Sequence, residues 1–138
     1  MRTVADRTLV FVKPDGVRRG LVGEIVSRFE RKGLQITEMS VRTLDPEFAD
    51  QHYAEHLGKS WYPELREFIT SGPIVAMIVT GDQVVEVVRA LVGGTDARTA
   101  AAGTIRGDLA NSNRLNLVHA SDSPESAKRE IDLFFPGS

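Results

Sequence analysis

The sequence predicts one domain that mixes strands and helices in the order β-α-β-α-α-β-α-β-α. Three observations lead to that class. Hydrophobic periodicity switches repeatedly between two residues and roughly 3.6. The 138 residues fit a single domain. The balance of 41% apolar and 26% charged residues belongs to a soluble globular chain, not a disordered or membrane one. On pattern alone the order fits either a doubly wound parallel sheet or a split β-α-β sheet of ferredoxin type.

Thr8 to Lys13 is a β-branched and aromatic run closed by the turn cluster Pro14-Asp15-Gly16, and reads as strand one. Leu21, Val22, Ile25, Val26 and Phe29 then recur at helical spacing up to Gly33. Leu34 and Ile36, then Met39 and Val41, alternate with a phase switch between them, which predicts a bulge in strand two. Two short helices follow, one over Glu47 to His56 after Asp45-Pro46, the other from Pro63 with Leu65, Phe68 and Ile69 inward. Pro73 to Thr80 reads as a buried third strand. Asp82 is a candidate cap for a helix with Val84, Val88 and Leu91 on its apolar face, stopped by Gly93-Gly94. From Gly93 to Arg114 nothing is periodic, a loop longer than compact domains usually carry without a function. Leu117 to Ser121 makes a fourth strand, and Ser123-Pro124 opens a last helix that buries Ala127, Ile131 and Phe134.

Composition excludes several function classes. There is no apolar run long enough to span a bilayer, and neither a membrane partner nor a secretory signal is expected. With no cysteine there is no disulfide framework and no thiolate site, and three histidines (His52, His56, His119) are too few for a zinc cage. A cytoplasmic location follows as the default. The net charge of -2 offers nucleic acid no general attraction, although residues 1–33 carry a net +4 against -6 for the rest. That basic third suits a small polyanion, and equally a solvated helix face at Arg28, Arg31 and Lys32.

No G-x-x-x-x-G-K-[ST] or G-x-G-x-x-G occurs, so any phosphate must be held by side chains. The irregular segment supplies candidates, among them Thr95, Arg98, Arg106, Asn113, Arg114 and Asn116. They lead directly to His119, which the alternation puts on one face with Leu117 and just before the helix start at Ser123. A strand histidine is commonly a satisfied core residue. Glu130, one helix later, would serve equally as its structural partner or as the group that orients it for chemistry.

The stretches T-L-V-F-V-K-P-D-G-V, G-L-V-G-E-I, S-G-P-I-V-A-M, G-G-T-D, A-G-T-I-R-G-D and N-L-V-H-A-S-D-S, from Thr8 to Phe135, resemble in order and spacing the signatures of the nucleoside diphosphate kinases. The resemblance implies an α+β, ferredoxin-like sandwich, a four-stranded antiparallel sheet covered by helices, in one domain over 1–138. It implies ping-pong transfer of the γ-phosphoryl from a nucleoside triphosphate to a nucleoside diphosphate through a phosphohistidine on His119. By the family's pattern Glu130 holds the opposite ring nitrogen, Ser121 holds Glu130, and Tyr53 stands beside His119. Lys13 goes to the γ-phosphate and the ribose, Asn116 to the ribose, and Arg89, Thr95 and Arg106 to the phosphates. Trp61, where the family usually has Phe, and Leu65 enclose the base. Mg2+ arrives bridging the nucleotide phosphates, with no protein ligand assigned, and a homo-oligomer, hexamer or tetramer, is implied.

The chain departs from the family at three positions: Ala120 replaces a glycine, and Ala97 and Ala102 replace prolines. The first is expected to crowd His119, and restoring either proline to stabilise the loop. Two rivals remain: a ferredoxin-type module that binds a nucleotide or nucleic acid without turnover, and a histidine phosphoesterase that passes the phosphoryl to water. No basic patch interleaved with aromatics supports a need for nucleic acid.

Overall fold

The computed structural model describes residues 6–138. Strands β1 (Asp6–Val12), β2 (Gln35–Arg42), β3 (Ile74–Gly81) and β4 (Val118–Ala120) form one sheet in the order β2-β3-β1-β4. Every neighbouring pair is antiparallel, which excludes the doubly wound parallel alternative. The helices are α1 (Pro14–Arg18), α2 (Val22–Arg31), α3 (Pro46–His52), α4 (Tyr62–Ile69), α5 (Val84–Val92), α6 (Ile105–Leu109) and α7 (Pro124–Phe134), with a 3-10 turn over Ala54–His56.

Both sheet faces are covered, and this is why the central strands read as unbroken apolar runs. On one face Val10, Val12, Val75, Met77 and Val79 pack with Ile25 and Phe29 of α2 and with Val84, Val88 and Val92 of α5. On the other, Leu9, Phe11, Ala76 and Ile78 meet Ala49 of α3, Ile69 of α4, and Ile131 and Phe134 of α7. Phe11, Phe29 and Phe134 are among the largest fully buried side chains, each worth roughly 1.5–3 kcal/mol of burial. Edge strand β2 keeps Met39 and Val41 exposed. Its expected bulge is present as a register shift between Ile36 and Glu38.

Four local expectations change. The Pro14-Asp15-Gly16 turn continues as helix α1, because a first-turn proline starts a helix as readily as a turn. Asp45 caps α3 through Phe48 N–H at 2.8 Å, but the helix stops at His52 and only the 3-10 turn reaches His56. Asp82 caps nothing on α5; Gln83 holds the N-cap position in a left-handed conformation with φ 50°. The irregular segment contains α6, whose start is closed in both directions. Thr104 Oγ1 accepts from Gly107 N–H at 2.9 Å, and Asp108 Oδ1 accepts from Gly103 N–H at 2.8 Å.

Leu117 differs more consequentially. It lies before β4 at φ 76° and packs with Val118 and Ala120 on the α2/α5 side, whereas His119 pairs with Phe11 and faces the α3/α7 side. The two therefore do not share a face. Because Ala120 belongs to the α2/α5 layer, its methyl group turns away from the His119 ring.

The two proline departures also separate. Thr104 N–H bonds to Ala101 O at 3.2 Å, and Gly103 has φ 93°, so Ala102 occupies the second position of a turn that demands glycine third. Proline is preferred there. Ala97, in contrast, is buried and its N–H donates to Ser112 O at 3.3 Å. Ala102→Pro should stabilise by about 0.4–1 kcal/mol. Ala97→Pro should gain nothing or lose about 1 kcal/mol, because it deletes that hydrogen bond. Urea unfolding of both variants beside the parent measures the difference, and equal stabilisation by the two would refute this reading of the loop.

Candidate active site

The site begins at the end of β1, where the chain leaves the sheet with Lys13. Lys13 N–H donates to Leu117 O at 2.8 Å, and Leu117 N–H donates to Asp15 Oδ2 at 3.1 Å. Gly16 makes the approach possible, since a Cβ there would lie 2.7 Å from Val12 Cγ1 and 3.0 Å from Leu117 O. This junction delivers Asn116 and His119 to the same side as Lys13. Lys13 Nζ donates to Asn116 Oδ1 at 2.8 Å, and the Asn116 amide donates to Thr95 O at 2.8 Å and Asn113 O at 3.1 Å. Asn116 thereby ties the two ends of the irregular segment to the end of β1.

His119 is positioned by three elements. Phe11, its cross-strand partner, stacks on the ring at 4.8 Å between centroids, and His52 of α3 meets it edge-on at 4.7 Å. Glu130 of α7 lies 2.7 Å from Nε2 through Oε1, and Ser121 Oγ donates to that same oxygen at 2.8 Å. Burial pushes the Glu130 carboxyl up, but the bond to His119 and the neighbouring imidazole charge outweigh it and hold it below the usual range. An ionised carboxylate only accepts, so Nε2 carries a proton, and in the neutral ring the lone pair lies on Nδ1.

Cationic groups surround the ring. Lys13 is buried, and desolvation, helped by the charge of Arg106 and opposed by Asp15, lowers its pKa to about 8. Arg106 is also buried; its guanidinium donates to Asn116 O, Gly93 O and Val118 O at 3.3, 3.1 and 2.6 Å. Desolvation, then the charge of Arg89, brings it to about 10, still charged at neutral pH. Arg89 Nη1 reaches Ala120 O at 3.3 Å. Burial pushes the Tyr53 hydroxyl up, so it remains a neutral donor.

Lys13, Tyr53, Trp61, Leu65, Arg89, Thr95, Arg106, Asn116, His119 and Glu130 all line one cleft of about 300 Å³, while Ser121 is fully buried behind Glu130. A neighbouring hollow is bounded by Trp61, Leu65, Asn113 and Arg114. Leu65 follows Trp61 by one helical turn, so both border the hollow from the start of α4, and Asn113 and Arg114 border it from the irregular segment. An ion pair between Arg114 and Glu64, at 2.5 Å, ties that segment to α4. Asp50 braces the Trp61 wall from α3, accepting from Tyr62 Oη at 2.7 Å and from Arg66 at 3.0 Å.

Sequence reasoning passed over His52, Asp122, Ser126 and Arg129, which also line the cleft. His52 and Arg129 adjoin the selected residues Tyr53 and Glu130, and that adjacency was their only signal in the sequence.

The family profile "Nucleoside diphosphate kinase" matches residues 6–138. A protein of that name from Nocardioides sp. is 63% identical over 131 residues, covering 95% of this chain and 97% of the relative. The one from Mycobacterium tuberculosis is 58% identical over 136 residues, covering 98% of this chain and 100% of the relative. Among structures, a halophilic nucleoside diphosphate kinase from Halobacterium salinarum in complex with CDP superposes with a TM-score of 0.93 at 50% identity, over 95% of this chain and 88% of that one. The Aquifex aeolicus enzyme gives 0.92 at 39% identity, over 96% of each. A cationic cleft around an oriented histidine, a fold that superposes on those solved structures, and a family match over residues 6–138 lead to one conclusion: the chain belongs to the nucleoside diphosphate kinase family.

Proposed function

We propose that the chain, one nucleoside diphosphate kinase domain over 1–138, carries the γ-phosphoryl from a nucleoside triphosphate to a nucleoside diphosphate as a phosphohistidine on His119. The observation that carries this reading is the chain of bonds Ser121–Glu130–His119, at 2.8 and 2.7 Å, inside a cleft of cations. Glu130 fixes the tautomer, so Nδ1 presents its lone pair to the γ-phosphorus without a separate base. The bond from Nδ1 to phosphorus forms as that from phosphorus to the bridging oxygen breaks, and the diphosphate leaves. In the second half-reaction another diphosphate takes the phosphoryl from Nδ1 by the same path reversed.

The phosphoryl in flight spreads charge over its oxygens, so catalysis rests on placement and neutralisation. Lys13 meets the γ-phosphate and the ribose, while Arg89, Thr95 and Arg106 meet the remaining phosphate oxygens. Tyr53 donates beside His119. Both amide hydrogens of Asn116 are already engaged, so it meets a ribose hydroxyl as an acceptor. The substrate is the Mg2+ complex of the nucleotide. A hard cation that keeps its waters suits phosphate oxygens, and the nearest donor cluster, two imidazoles and an engaged carboxylate, suits it poorly. The Halobacterium relative's complex with CDP supports a nucleotide in this cleft.

The base rests against Trp61 and Leu65. A homo-oligomer, hexamer or tetramer, belongs to the same reading, and the exposed Met39 and Val41 of β2 are apolar surface a second copy would cover. So does a cytoplasmic location with no need for nucleic acid or membrane; among the described residues no helix is long and apolar enough to cross a bilayer.

Labelled ATP alone should transfer acid-labile label to His119, and added diphosphate should discharge it. His119→Ala should take up none; undiminished labelling of that variant would refute the mechanism, and discharge to water as fast as to diphosphate would favour a phosphoesterase. Above pH 8 the Lys13 ammonium loses its proton in the free enzyme, so kcat/KM should fall as pH rises through about 8. A profile flat to strongly alkaline pH would remove Lys13 from phosphate binding. Trp61→Ala should weaken every base by about 1–3 kcal/mol, with purines and pyrimidines affected alike, because a ring face offers area and no edge readout.

A further inference from the structure

His52 is the group in the cleft that the phosphoryl-transfer reading leaves unused. The residue is 3% exposed, and its Nδ1 is buried without a hydrogen-bond partner among the described residues. Phe11, Tyr53, His119 and Phe134 pack around it at 4.4 to 5.4 Å between ring centroids. Burial, then the neighbouring His119, keeps it uncharged, with a pKa near 3. A neutral imidazole has a nitrogen lone pair to give. One donor atom from each of His52, His119 and Glu130 falls within 4.8 Å of the others.

We infer that His52, His119 and Glu130 form a site for one Zn2+ ion, whose binding removes His119 as a phosphoryl acceptor. Two imidazoles and a carboxylate with a fourth position open to the cleft are a donor set zinc favours, and magnesium, which prefers oxygen ligands, does not. The three residues come from α3, β4 and α7, and Ser121 already holds the carboxylate from behind, as outer partners of metal ligands commonly do. Bonds of about 2.1 Å set tetrahedral donors about 3.4 Å apart, so donors at the widest separation draw together while Glu130 and His119 part to admit the ion. The count of histidines alone concealed the site, because its third ligand is a glutamate brought in by the last helix.

The chemical consequence follows from the imidazole ring. Zinc bound at Nε2 takes the lone pair exposed when the ring proton moves from Nε2 to Nδ1, and Nδ1 then has none for phosphorus. Zinc bound at Nδ1 occupies that nitrogen directly. In both cases a neutral ring keeps its single proton, no other reactant is required, and the phosphoryl has no acceptor. The block on transfer rests on the function proposed above; the binding of the ion does not.

Calorimetric titration of the intact, nucleotide-free protein with zinc chloride, in excess magnesium, tests the binding. One ion per chain is expected, with affinity lowered about tenfold or more in His52→Gln and in Glu130→Gln. The unsubstituted protein gives a second readout. With histidine labelled in 15N, zinc should move the ring nitrogens of His52 and His119 and leave those of His56 in place. Label transfer from ATP to His119 should slow in proportion to the fraction of chains loaded and recover on chelation. Zinc that shifts only His56, or binds both variants as tightly as the parent, overturns the site. Binding as described with undiminished label transfer overturns the block alone, and no labelling of zinc-free protein would instead refute the function proposed above.

Discussion

The left-handed backbone at Leu117 is the constraint on which the site depends. At φ 76° a leucine is strained by an amount on the order of 1–3 kcal/mol, and it persists because its surroundings leave no alternative. Its carbonyl is taken by Lys13 N–H, its N–H by the Asp15 carboxylate, and its side chain by the α2/α5 core. Gly16 gives it room. The reversal sends the side chain of Leu117 to one face of the sheet while the next two residues enter β4. Asn116 is thereby brought onto Lys13, and His119 onto Phe11. Without it the chain would enter the last strand in ordinary alternation, and the polar segment before it would lose its anchor beside β1.

From that junction the electrostatics of the cleft follow. Lys13 and Arg106 are buried close enough for the charge of Arg106 to lower the pKa of Lys13, a repulsion that a folded protein bears only with compensation. Here Arg106 is met by three backbone carbonyls and Lys13 by the Asn116 amide oxygen, dipoles that hold the cations without neutralising them. The excess positive charge remains available to a polyanion. On the other side of the ring the charge is opposite: Glu130, buried and bonded by Ser121, provides the acceptor that orients His119. The histidine stands between a carboxylate that sets its proton and cations that draw phosphate. This polarity can be seen without any ligand.

Periodicity and turn chemistry made much of the fold legible. The central strands, the bulge in β2, and the caps at Asp45 and Ser123 all follow local rules, and local rules hold where neighbours in sequence are neighbours in space. The failures have physical causes as well. Asp82 is an intrinsically good cap, but Gln83 takes the left-handed turn and the helix starts after it. Helix α6 is too short for a period; Thr104 and Asp108 hold it by capping at both the side chain and the backbone. Alternation puts Leu117 on the wrong face because it assumes extended backbone, and a left-handed residue breaks that assumption.

The sequence by itself determined the order of elements, their apolar faces, the absence of backbone phosphate cradles and, through its family resemblance, the residues gathered about His119. Those are properties of residue types at short range, and of motifs that keep their order. Only the tertiary structure decided that Leu117 and His119 lie on opposite faces of the sheet, and that Ala120 turns away from His119. It also decided that Ala97 spends its N–H on Ser112, and that His52 comes within reach of His119 and Glu130 from a helix some 70 residues away in the chain. Such contacts depend on how faces meet across the sheet. No local pattern encodes that meeting, because it is set by which strand pairs with which and by one strained residue at the start of β4.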